Sequence, residues 1–486
     1  MIISIDQGTT SCRAILFNEK AQSIATAQNE FTQFFPKSGW VEHDPIEILE
    51  CQLKVINDLF EENNIDQIKT IGITNQRETI VAWNKKTGKP IYNAIVWQDT
   101  RTSDYCNNLK KKGYEPLIKD KTGLLLDSYF SASKMNWIIR NVPEASDLIQ
   151  QKNLLFGTID SWLIWNLSEE KNHFTDVSNA SRTLLFNIND LTWDDELLEI
   201  FEIPLHTLPT IKESAADFGT FNKEGVKIPI QGVIGDQQAA LFGQCCFESG
   251  QAKNTYGTGC FMLMNTGSSK IESSNGLIST IGWSVNNQVT YALEGSVFVA
   301  GAGVQWLRDG LYLIKSASET EELSKKAKES SLVFVPAFVG LGAPHWDMNA
   351  RGLLIGLTRD TTSAEISRAT LEAMAYQTKD VLNAMELDSG IELKELKVDG
   401  GACVNSFLMQ FQADILNKKV DRPICTESTA LGAALLAGIQ AKMWTLEKIK
   451  QLRASEVVFL PSNDRQTFET KYSRWNKAVE RCKDWE

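Results

Sequence analysis

The stretch "IDQGTTSCRA", residues 5–14, interrupts an apolar run with an acid, a glycine and three hydroxyl side chains, and then resumes with an arginine. Strand-forming residues lie on both sides, from Met1 to Ile5 and from Arg13 to Phe17, which predicts a hairpin with Gly8 at its sharpest point. The backbone N–H groups of such a turn, together with the hydroxyls of residues 9–11, would all face one small anion. The motif therefore predicts an anion site close to the start of the chain.

Length and charge limit which anion is worth considering. The chain has 486 residues, more than one hydrophobic core usually spans, so we expect two or more domains. Apolar residues make up 43% and charged residues 23%, which is typical of globular proteins. The net charge of −12, with no long basic run, argues against a surface for nucleic acid or for an anionic membrane. A phosphate held by backbone amides remains compatible with that charge.

Cysteine and histidine usage indicates a cytosolic protein without structural zinc. The nine cysteines are an odd number, include the adjacent pair Cys245 and Cys246, and form no CxxC, which favours reduced thiols. The four histidines lie far apart in the sequence, without metal-ligand spacing. We expect no signal peptide, because Met1 leads straight into a strand, and no membrane span, because no apolar run reaches about 18 residues.

Strand and helix patterns alternate in a way that predicts mixed α/β sheets. A third strand is expected around Ser23 to Asn29, and then Asp44 and Pro45 provide an N-cap and a first helical residue. The strand from Thr70 to Thr74 follows. This β-β-β-α-β order is not a Rossmann unit, in which the glycine turn lies between strand and helix.

The second half of the chain repeats the strand-turn-strand motif of residues 1–17. "NTYGTGCFMLM", residues 254–264, again has a strand, a Gly-Thr-Gly turn and a strand. A strand from Glu395 to Ala402 contains a double glycine and precedes a helix from Asn405 to Leu416. Two halves with matching β-turn-β openings suggest duplicated domains that face each other across a cleft, with the boundary near Phe247 to Gln251.

Together with the opening turn, a series of blocks in the same order along nearly the whole chain resembles the FGGY carbohydrate kinase family. The blocks are "ITNQRET" (73–79), "AIVWQDTRT" (94–102), "YFSASKMNW" (129–137), "GDQQAALFGQ" (235–244), "YGTGCFML" (256–263), "AGAGVQWLRD" (300–309), "RGLLIGLTRDTT" (351–362), "RATLEAMAYQ" (368–377) and "VDGGACVNSFLMQFQADIL" (398–416). The Arg-Glu pair after "NQ" and the "VWQ" block are specific to the glycerol branch of that family. The resemblance implies ATP-dependent phosphorylation of glycerol to sn-glycerol 3-phosphate.

The fold that this resemblance implies is α/β, with two ribonuclease-H-like (actin-like ATPase) domains whose mixed sheets are flanked by helices. ATP and the polyol would bind in the cleft between them. We place the N-terminal domain at residues 1–247 and the C-terminal, nucleotide-binding domain at residues 248–486. The resemblance further implies a homo-oligomer, either a dimer or a tetramer.

The opening turn acquires a defined role in this setting. The amides and hydroxyls of Thr9, Thr10 and Ser11, with Arg13, would hold the β- and γ-phosphates. An acid beside a phosphate would repel it unless a cation lay between them, so Asp6 implies Mg²⁺, contacted through water.

The residues alone leave two roles open for Asp236, which comes at the end of an apolar strand and before a helix. On the motif alone it is an N-cap, and it can also serve as a catalytic carboxylate only if its side chain points into the cleft. Resemblance makes it the catalytic base that accepts the proton of the acceptor hydroxyl. The resemblance also implies that Asp236 forms a hydrogen bond with the polyol. The same is implied for Arg77, Glu78, Tyr129 and Gln237. Trp97 and Phe261 would enclose the carbon atoms of the polyol.

On the nucleotide side, the resemblance places Thr258 near phosphate. It also implies contacts between ADP and the residues Gly301 and Gln305, and between adenosine and the residues Gly401 and Asn405. Two alternatives remain open. A pentulose kinase or another sugar kinase of the family would share the nucleotide blocks and differ in the polyol pocket. An actin-like assembly ATPase would have the same phosphate turns but no small-molecule acceptor.

Overall fold

The computed structural model describes residues 1–63 and 65–486. The strands are β1 (Ile2–Gln7), β2 (Ser11–Phe17), β3 (Ser23–Glu30), β4 (Glu42–His43), β5 (Thr70–Asn75), β6 (Ile80–Asn84), β7 (Ala94–Ile95), β8 (Leu154–Thr158), β9 (Phe174–Asp176), β10 (Phe186–Asn187), β11 (Thr192–Trp193), β12 (Thr210–Lys212), β13 (Thr220–Lys223), β14 (Val226–Gly235), β15 (Gln251–Tyr256), β16 (Cys260–Gly267), β17 (Ile278–Val285), β18 (Gln288–Val297), β19 (Val333–Val335), β20 (Leu353–Ile355), β21 (Glu395–Asp399), β22 (Lys419–Pro423) and β23 (Ser455–Phe459).

The helices are α1 (Pro45–Glu62), α2 (Ser103–Lys111), α3 (Glu115–Thr122), α4 (Ser131–Asn141), α5 (Pro143–Gln150), α6 (Ile159–Leu167), α7 (Val177–Ala180), α8 (Asp195–Phe201), α9 (Asp236–Gly243), α10 (Gly301–Gln305), α11 (Glu319–Lys326), α12 (Ser363–Ser389), α13 (Ser406–Leu416), α14 (Ser428–Gln440), α15 (Leu446–Leu452) and α16 (Arg465–Cys482). In the described part of the chain, no helix has the length and the apolar composition needed to cross a membrane.

The first large sheet confirms the predicted ribonuclease-H-like arrangement. Its strands lie in the order β13-β14-β5-β1-β2-β3. Strand β2 is antiparallel to both β1 and β3, whereas β1, β5 and β14 are parallel to one another. Every residue of β1 is buried, whereas the edge strand β3 alternates exposed and half-buried residues, as expected for a sheet edge facing water. The predicted start of α1 is confirmed, because the carboxylate of Asp44 accepts the N–H of Ile46.

The second large sheet repeats this arrangement. Its order is β17-β18-β16-β15-β21-β22-β23. Strand β16 is antiparallel to both β15 and β18, whereas β15, β21 and β22 are parallel to one another. The strand predicted from Glu395 to Ala402 is shorter than expected, since Gly400 has a left-handed backbone (φ 83°) that ends the strand at Asp399. The duplicated β-hairpin predicted from the sequence is therefore present in both sheets, as β1–β2 and as β15–β16.

Two helices hold the halves together. Helix α14 comes from the second half of the chain, yet it packs on β1, β5 and β14 of the first sheet and along α9. The backbones of the two helices approach so closely that a Cβ on Gly432 would collide with the Ala239 carbonyl. Apolar residues of both halves, among them Ile234 and Leu435, share one buried cluster. This contact fixes the ends of β1 and β14, where the candidate site lies.

Candidate active site

The turn between β1 and β2 brings its polar groups to the end of the first sheet. The Gly8 N–H donates to the Ser11 carbonyl at 2.9 Å and closes the turn. Gly8 does not have the positive φ that glycine adopts more readily than other residues, and a Cβ there would lie 3.2 Å from the Ser11 carbonyl oxygen. Thr10 is exposed, whereas Thr9 and Ser11 are half-buried. These three hydroxyl residues line the predicted phosphate turn.

Asp6 and Arg13 are register partners on β1 and β2 and form an ion pair. Arg13 Nη2 lies 3.2 Å from Asp6 Oδ2, and Arg13 Nη1 donates to Glu427 Oε2 at 2.7 Å. Burial raises the pKa of Asp6 to about 6, although Arg13 opposes this rise; Asp236 and Glu427 add to it. Asp6 Oδ2 is buried without a hydrogen bond in the described part of the chain, which fits a carboxylate that faces a hydrated cation.

Arg77 lies in the loop after β5 and is almost completely buried. Its Nη1 donates to Glu294 Oε2 at 2.6 Å and to Gln238 Oε1 at 3.1 Å, and its Nη2 donates to Glu294 Oε1 at 3.0 Å. Its Nε lies 3.2 Å from Asp236 Oδ1. The guanidinium is therefore held by two carboxylates and an amide, and a single Nη2 hydrogen lacks a partner among the described residues.

Glu78 completes a buried network of four charges. Arg182 donates from Nε to Glu78 Oε1 at 2.6 Å and from Nη2 to Glu294 Oε1 at 3.1 Å. Burial alone raises the pKa of Glu294, but Arg182 and Arg77 outweigh burial and lower it to about 2. Glu78 has a left-handed backbone (φ 62°), and it lies between β5 and β6. The Arg-Glu pair is thus in a loop, where neighbouring side chains are not directed to opposite faces as they are in a strand.

Asp236 is the first residue of α9, directly after β14. The alternative prediction that it caps this helix is wrong, because Gly235 occupies the N-cap position and the Asp236 carboxylate accepts the N–H of Gln237. Only about a third of the Asp236 side chain is exposed, at 31%. Its Oδ1 faces Arg77, and its Oδ2 has no partner within the described ranges. One carboxylate oxygen is therefore held in place and the other is open.

Aromatic side chains stand beside these polar groups. Trp97 and Tyr129 pack edge to face with ring centroids 5.6 Å apart, and the Trp97 indole donates to Thr9 Oγ1 at 3.0 Å. Burial, followed by the charge of Glu78, raises the pKa of Tyr129, so its hydroxyl is a neutral donor. Phe261, on β16, is half-buried.

Several polar atoms of this region have no hydrogen-bond partner in the part of the chain that the structure describes. Lys253 occupies Gln237 Oε1, which leaves the amide nitrogen of Gln237 as a donor. The atoms concerned are Glu78 Oε2, the Tyr129 hydroxyl, Asp236 Oδ2, Gln237 Nε2 and one hydrogen of Arg77 Nη2. Donors and acceptors are both represented, and this is the complement that vicinal hydroxyl groups require.

The predicted nucleotide residues fall into two groups in the second half. Thr258 lies in the exposed turn between β15 and β16, and its carbonyl accepts the N–H of Ala302 at 3.0 Å. The Gly301 N–H donates to the Gly257 carbonyl at 3.0 Å, and a Cβ on Gly301 would lie only 2.6 Å from that oxygen. Gln305 is exposed at the end of α10. This group therefore joins a hairpin turn to a helix N-terminus.

The second group follows β21. Gly401 is exposed, and the position of its absent Cβ is open space. The side chain of Asn405 is used within the protein, because its Oδ1 accepts the Leu408 N–H at 3.0 Å and its Nδ2 donates to Thr320 Oγ1 at 3.3 Å. Asn405 is thus the N-cap of α13, and its contact with nucleotide stays a prediction.

Sequence reasoning missed several charged residues of the site. Each is an ionisable residue within or beside an otherwise buried apolar run, a pattern that is costly unless the charge is paired. That pattern could have identified them. They are Arg182, Lys253, Glu294 and Asp399. Glu427, directly before α14, was also missed, and its side chain is 43% exposed, so this pattern does not mark it.

Comparison with known proteins identifies the family of this chain. The model of the FGGY family of carbohydrate kinases matches residues 1–243 with its N-terminal domain and residues 252–441 with its C-terminal domain. Glycerol kinase 2 of Thermotoga maritima is 55% identical over 491 residues, covering 100% of this chain and 99% of that protein, and a glycerol kinase of Clostridium botulinum has the same values.

Solved structures agree with this result. Plasmodium falciparum glycerol kinase with ADP has a TM-score of 0.94 at 42% identity, covering 99% of this chain and 98% of that one. The xylulose kinase of Lactobacillus acidophilus, at 23% identity and a TM-score of 0.87, shares the fold over 98% of this chain and 97% of its own. The chain belongs to the FGGY family of carbohydrate kinases.

Proposed function

We infer that this chain is an ATP-dependent glycerol kinase that forms sn-glycerol 3-phosphate. Full-length relatives with this name are 55% identical to it, and a glycerol kinase with ADP has nearly the same fold. The observation that carries the assignment is the set of unpartnered donors and acceptors beside Asp236, because it complements three adjacent hydroxyl groups.

Each group of the acceptor site has a distinct role in this proposal. Arg77 and Glu78 bind adjacent hydroxyls through the free Nη2 hydrogen and the free Oε2 oxygen. Tyr129 and Gln237 donate to the remaining oxygen atoms. The rings of Trp97 and Phe261 enclose the carbon atoms, and the edge-to-face contact between Trp97 and Tyr129 supports that wall.

Asp236 is the proposed catalytic base. The Arg77 Nε at 3.2 Å and the N–H of Gln237 hold Oδ1, so Oδ2 is presented to the acceptor. As the acceptor oxygen attacks the γ-phosphorus in line, Oδ2 accepts the hydroxyl proton and the bond from phosphorus to the β,γ-bridging oxygen breaks. Most of the acceleration comes from position and electrostatics, since phosphoryl transfer needs little covalent chemistry from the protein.

The nucleotide would bind across both turns. In this proposal Thr9, Thr10, Ser11 and Arg13 hold the β- and γ-phosphates. The contacts on the other side come from Thr258, Gly301, Gln305, Gly401 and Asn405. Asp6 Oδ2, which is buried and makes no hydrogen bond in the described part of the chain, supports a hydrated Mg²⁺ at this point, which when bound would neutralise the charge of the phosphates.

In the same proposal the boundary between the two domains lies at 247/248. The protein is a dimer or a tetramer and is located in the cytosol. The free state of all nine cysteines supports a reducing compartment.

An enzyme-linked ADP-release assay with glycerol, xylulose, ribulose and gluconate tests the assignment. We expect kcat/KM for glycerol to exceed that of each other acceptor by at least about 10²-fold, because walls that enclose three carbon atoms do not admit a longer chain with all hydrogen bonds made. A higher value for a pentulose would transfer the assignment to the pentulose kinases. Nucleotide-dependent light scattering without turnover of glycerol would favour an assembly ATPase.

A further inference from the structure

Lys253 is a buried cation that the mechanism above does not use. It lies on β15 of the second sheet and has no exposed surface. Its ammonium group donates to Gln237 Oε1, to Thr255 Oγ1 at 2.9 Å and to the Phe261 carbonyl at 3.2 Å. All three N–H bonds are therefore occupied by protein oxygens, and none remains for a ligand.

Two of these three partners belong to the proposed acceptor site. Gln237 follows the proposed base and comes from the first half of the chain, whereas Phe261 comes from the second half. Because the ammonium donates to Gln237 Oε1, the amide cannot flip without losing a charge-assisted hydrogen bond. The amide nitrogen is consequently the end that remains open.

The charges that face Lys253 come from four different segments. They are Asp399 on β21, Asp236 on α9, Arg77 in the loop after β5 and Glu294 on β18. Burial lowers the pKa of Lys253 to about 8, against the opposing effect of Asp399. The ammonium thus loses its proton within a pH range in which enzymes are routinely assayed.

We propose that Lys253 is a positioning residue for the acceptor site, which fixes the Gln237 amide so that its N–H donors point toward the acceptor hydroxyls. This inference rests on the proposed function in one respect, namely that Gln237 contacts the acceptor. It assigns to the second sheet a role in orienting a residue of the first half.

The test compares Lys253→Met with a matched lysine. Lys397 is the register partner of Lys253 on β21, is similarly buried, and donates to the carbonyls of Gln244 and Cys245, both at 3.0 Å, away from the acceptor site. We expect Lys253→Met to lower kcat/KM for the acceptor by about 10- to 100-fold, the value of a charge-assisted hydrogen bond. Lys397→Met should stay within about 3-fold of the wild type in the same assay.

Three further readouts separate positioning from a merely structural role. The dissociation constant of ADP, measured by calorimetry, should be unchanged in Lys253→Met. The double variant Lys253→Met/Gln237→Ala should be no worse than Gln237→Ala alone, because Lys253 acts through Gln237. In the wild type kcat/KM should fall as the pH rises above about 8, and this fall should be absent in Lys253→Met.

Additive losses in the double variant, or equal losses in Lys253→Met and Lys397→Met, would overturn the inference. If Lys253→Met does not fold, as judged by circular dichroism, Gln237→Glu carries the test. Its carboxylate keeps the contact with Lys253 but has no N–H to donate, so kcat/KM should fall as in Gln237→Ala, and wild-type kinetics would refute the proposal. All ratios refer to whichever acceptor the wild type phosphorylates, so failure of the glycerol assignment is seen separately, in the wild-type assay.

Discussion

Removing the charge of Glu294 is the perturbation that the buried network makes most informative. The Glu294 carboxylate accepts three N–H groups, two from Arg77 at 2.6 and 3.0 Å and one from Arg182 at 3.1 Å. In Glu294→Gln the side chain keeps its shape but retains one acceptor oxygen, and its amide N–H₂ faces the guanidinium donors. Two buried arginines then remain against Glu78 and the partly exposed Asp236.

The size of the effect follows from these contacts. Removing one partner of a buried ion pair costs about 3–5 kcal/mol, and we expect about 3 kcal/mol here because the amide oxygen still accepts. The Arg77 guanidinium also loses the fork that orients it, and with it the 3.2 Å contact that holds Asp236 Oδ1. A displacement of about 1 Å at a reacting group costs about 10²-fold, so kcat/KM for glycerol should fall by about that factor.

Three measurements check this expectation. Steady-state assays at saturating ATP give kcat/KM for glycerol, calorimetry gives the affinity for ADP, and urea unfolding gives stability. Asp421→Asn is the matched control, because Asp421 is also buried and accepts two contacts of 3.0 Å from Arg453. We expect both variants to be destabilised and only Glu294→Gln to lose activity, with ADP affinity unchanged in both. If Glu294→Gln keeps kcat/KM within about 3-fold of the wild type, Glu294 does not orient the catalytic groups.

Three other predictions follow from single carboxylates. Asp236→Asn should lower kcat by at least about 10²-fold and leave the affinity for nucleotide nearly unchanged, because it removes a proton acceptor but no phosphate contact; near-wild-type turnover would place the base elsewhere. Because the pKa of Asp6 is raised to about 6, the apparent affinity for Mg²⁺ should weaken as the pH falls from about 7 through 6, and Asp6→Asn should abolish this dependence; a flat wild-type profile would contradict the assignment. Burial raises the pKa of Asp160 to about 7, so its contribution to stability is complete below about pH 4 and is lost as the pH rises through 7. Asp160→Asn should therefore gain about 2–4 kcal/mol relative to the wild type between pH 4 and pH 8 in urea unfolding, and a constant difference would refute this.

Local features of the fold were predictable because their causes are local. The two hairpins, the Asp44 and Pro45 start of α1 and the position of Asp236 after a buried strand depend on residues within a few positions of each other. The strand after Glu395 was predicted too long, because the backbone geometry of Gly400 is not visible in the apolar pattern.

The charged partners of the site were not predictable from spacing, because they come from distant parts of the chain. Arg77 and Glu294 are separated by 217 positions and Arg13 and Glu427 by 414. The sequence predicted phosphate contacts for Arg13, and it did not anticipate that the guanidinium would bridge two carboxylates. Such pairs depend on how the two sheets are brought together by α9 and α14, and that packing is a property of the whole fold.

The central claim is that the unpartnered groups around Asp236 recognise three hydroxyls, and the most direct measurement compares glycerol with its two deoxy analogues. Each of 1,2-propanediol and 1,3-propanediol lacks one hydroxyl, so each leaves buried polar groups unpaired. We predict that kcat/KM for both diols lies at least about 10²-fold below that for glycerol, a figure that allows for a water molecule filling the gap. Values for either diol within about 3-fold of glycerol would contradict the account, because the site would then not read the missing hydroxyl.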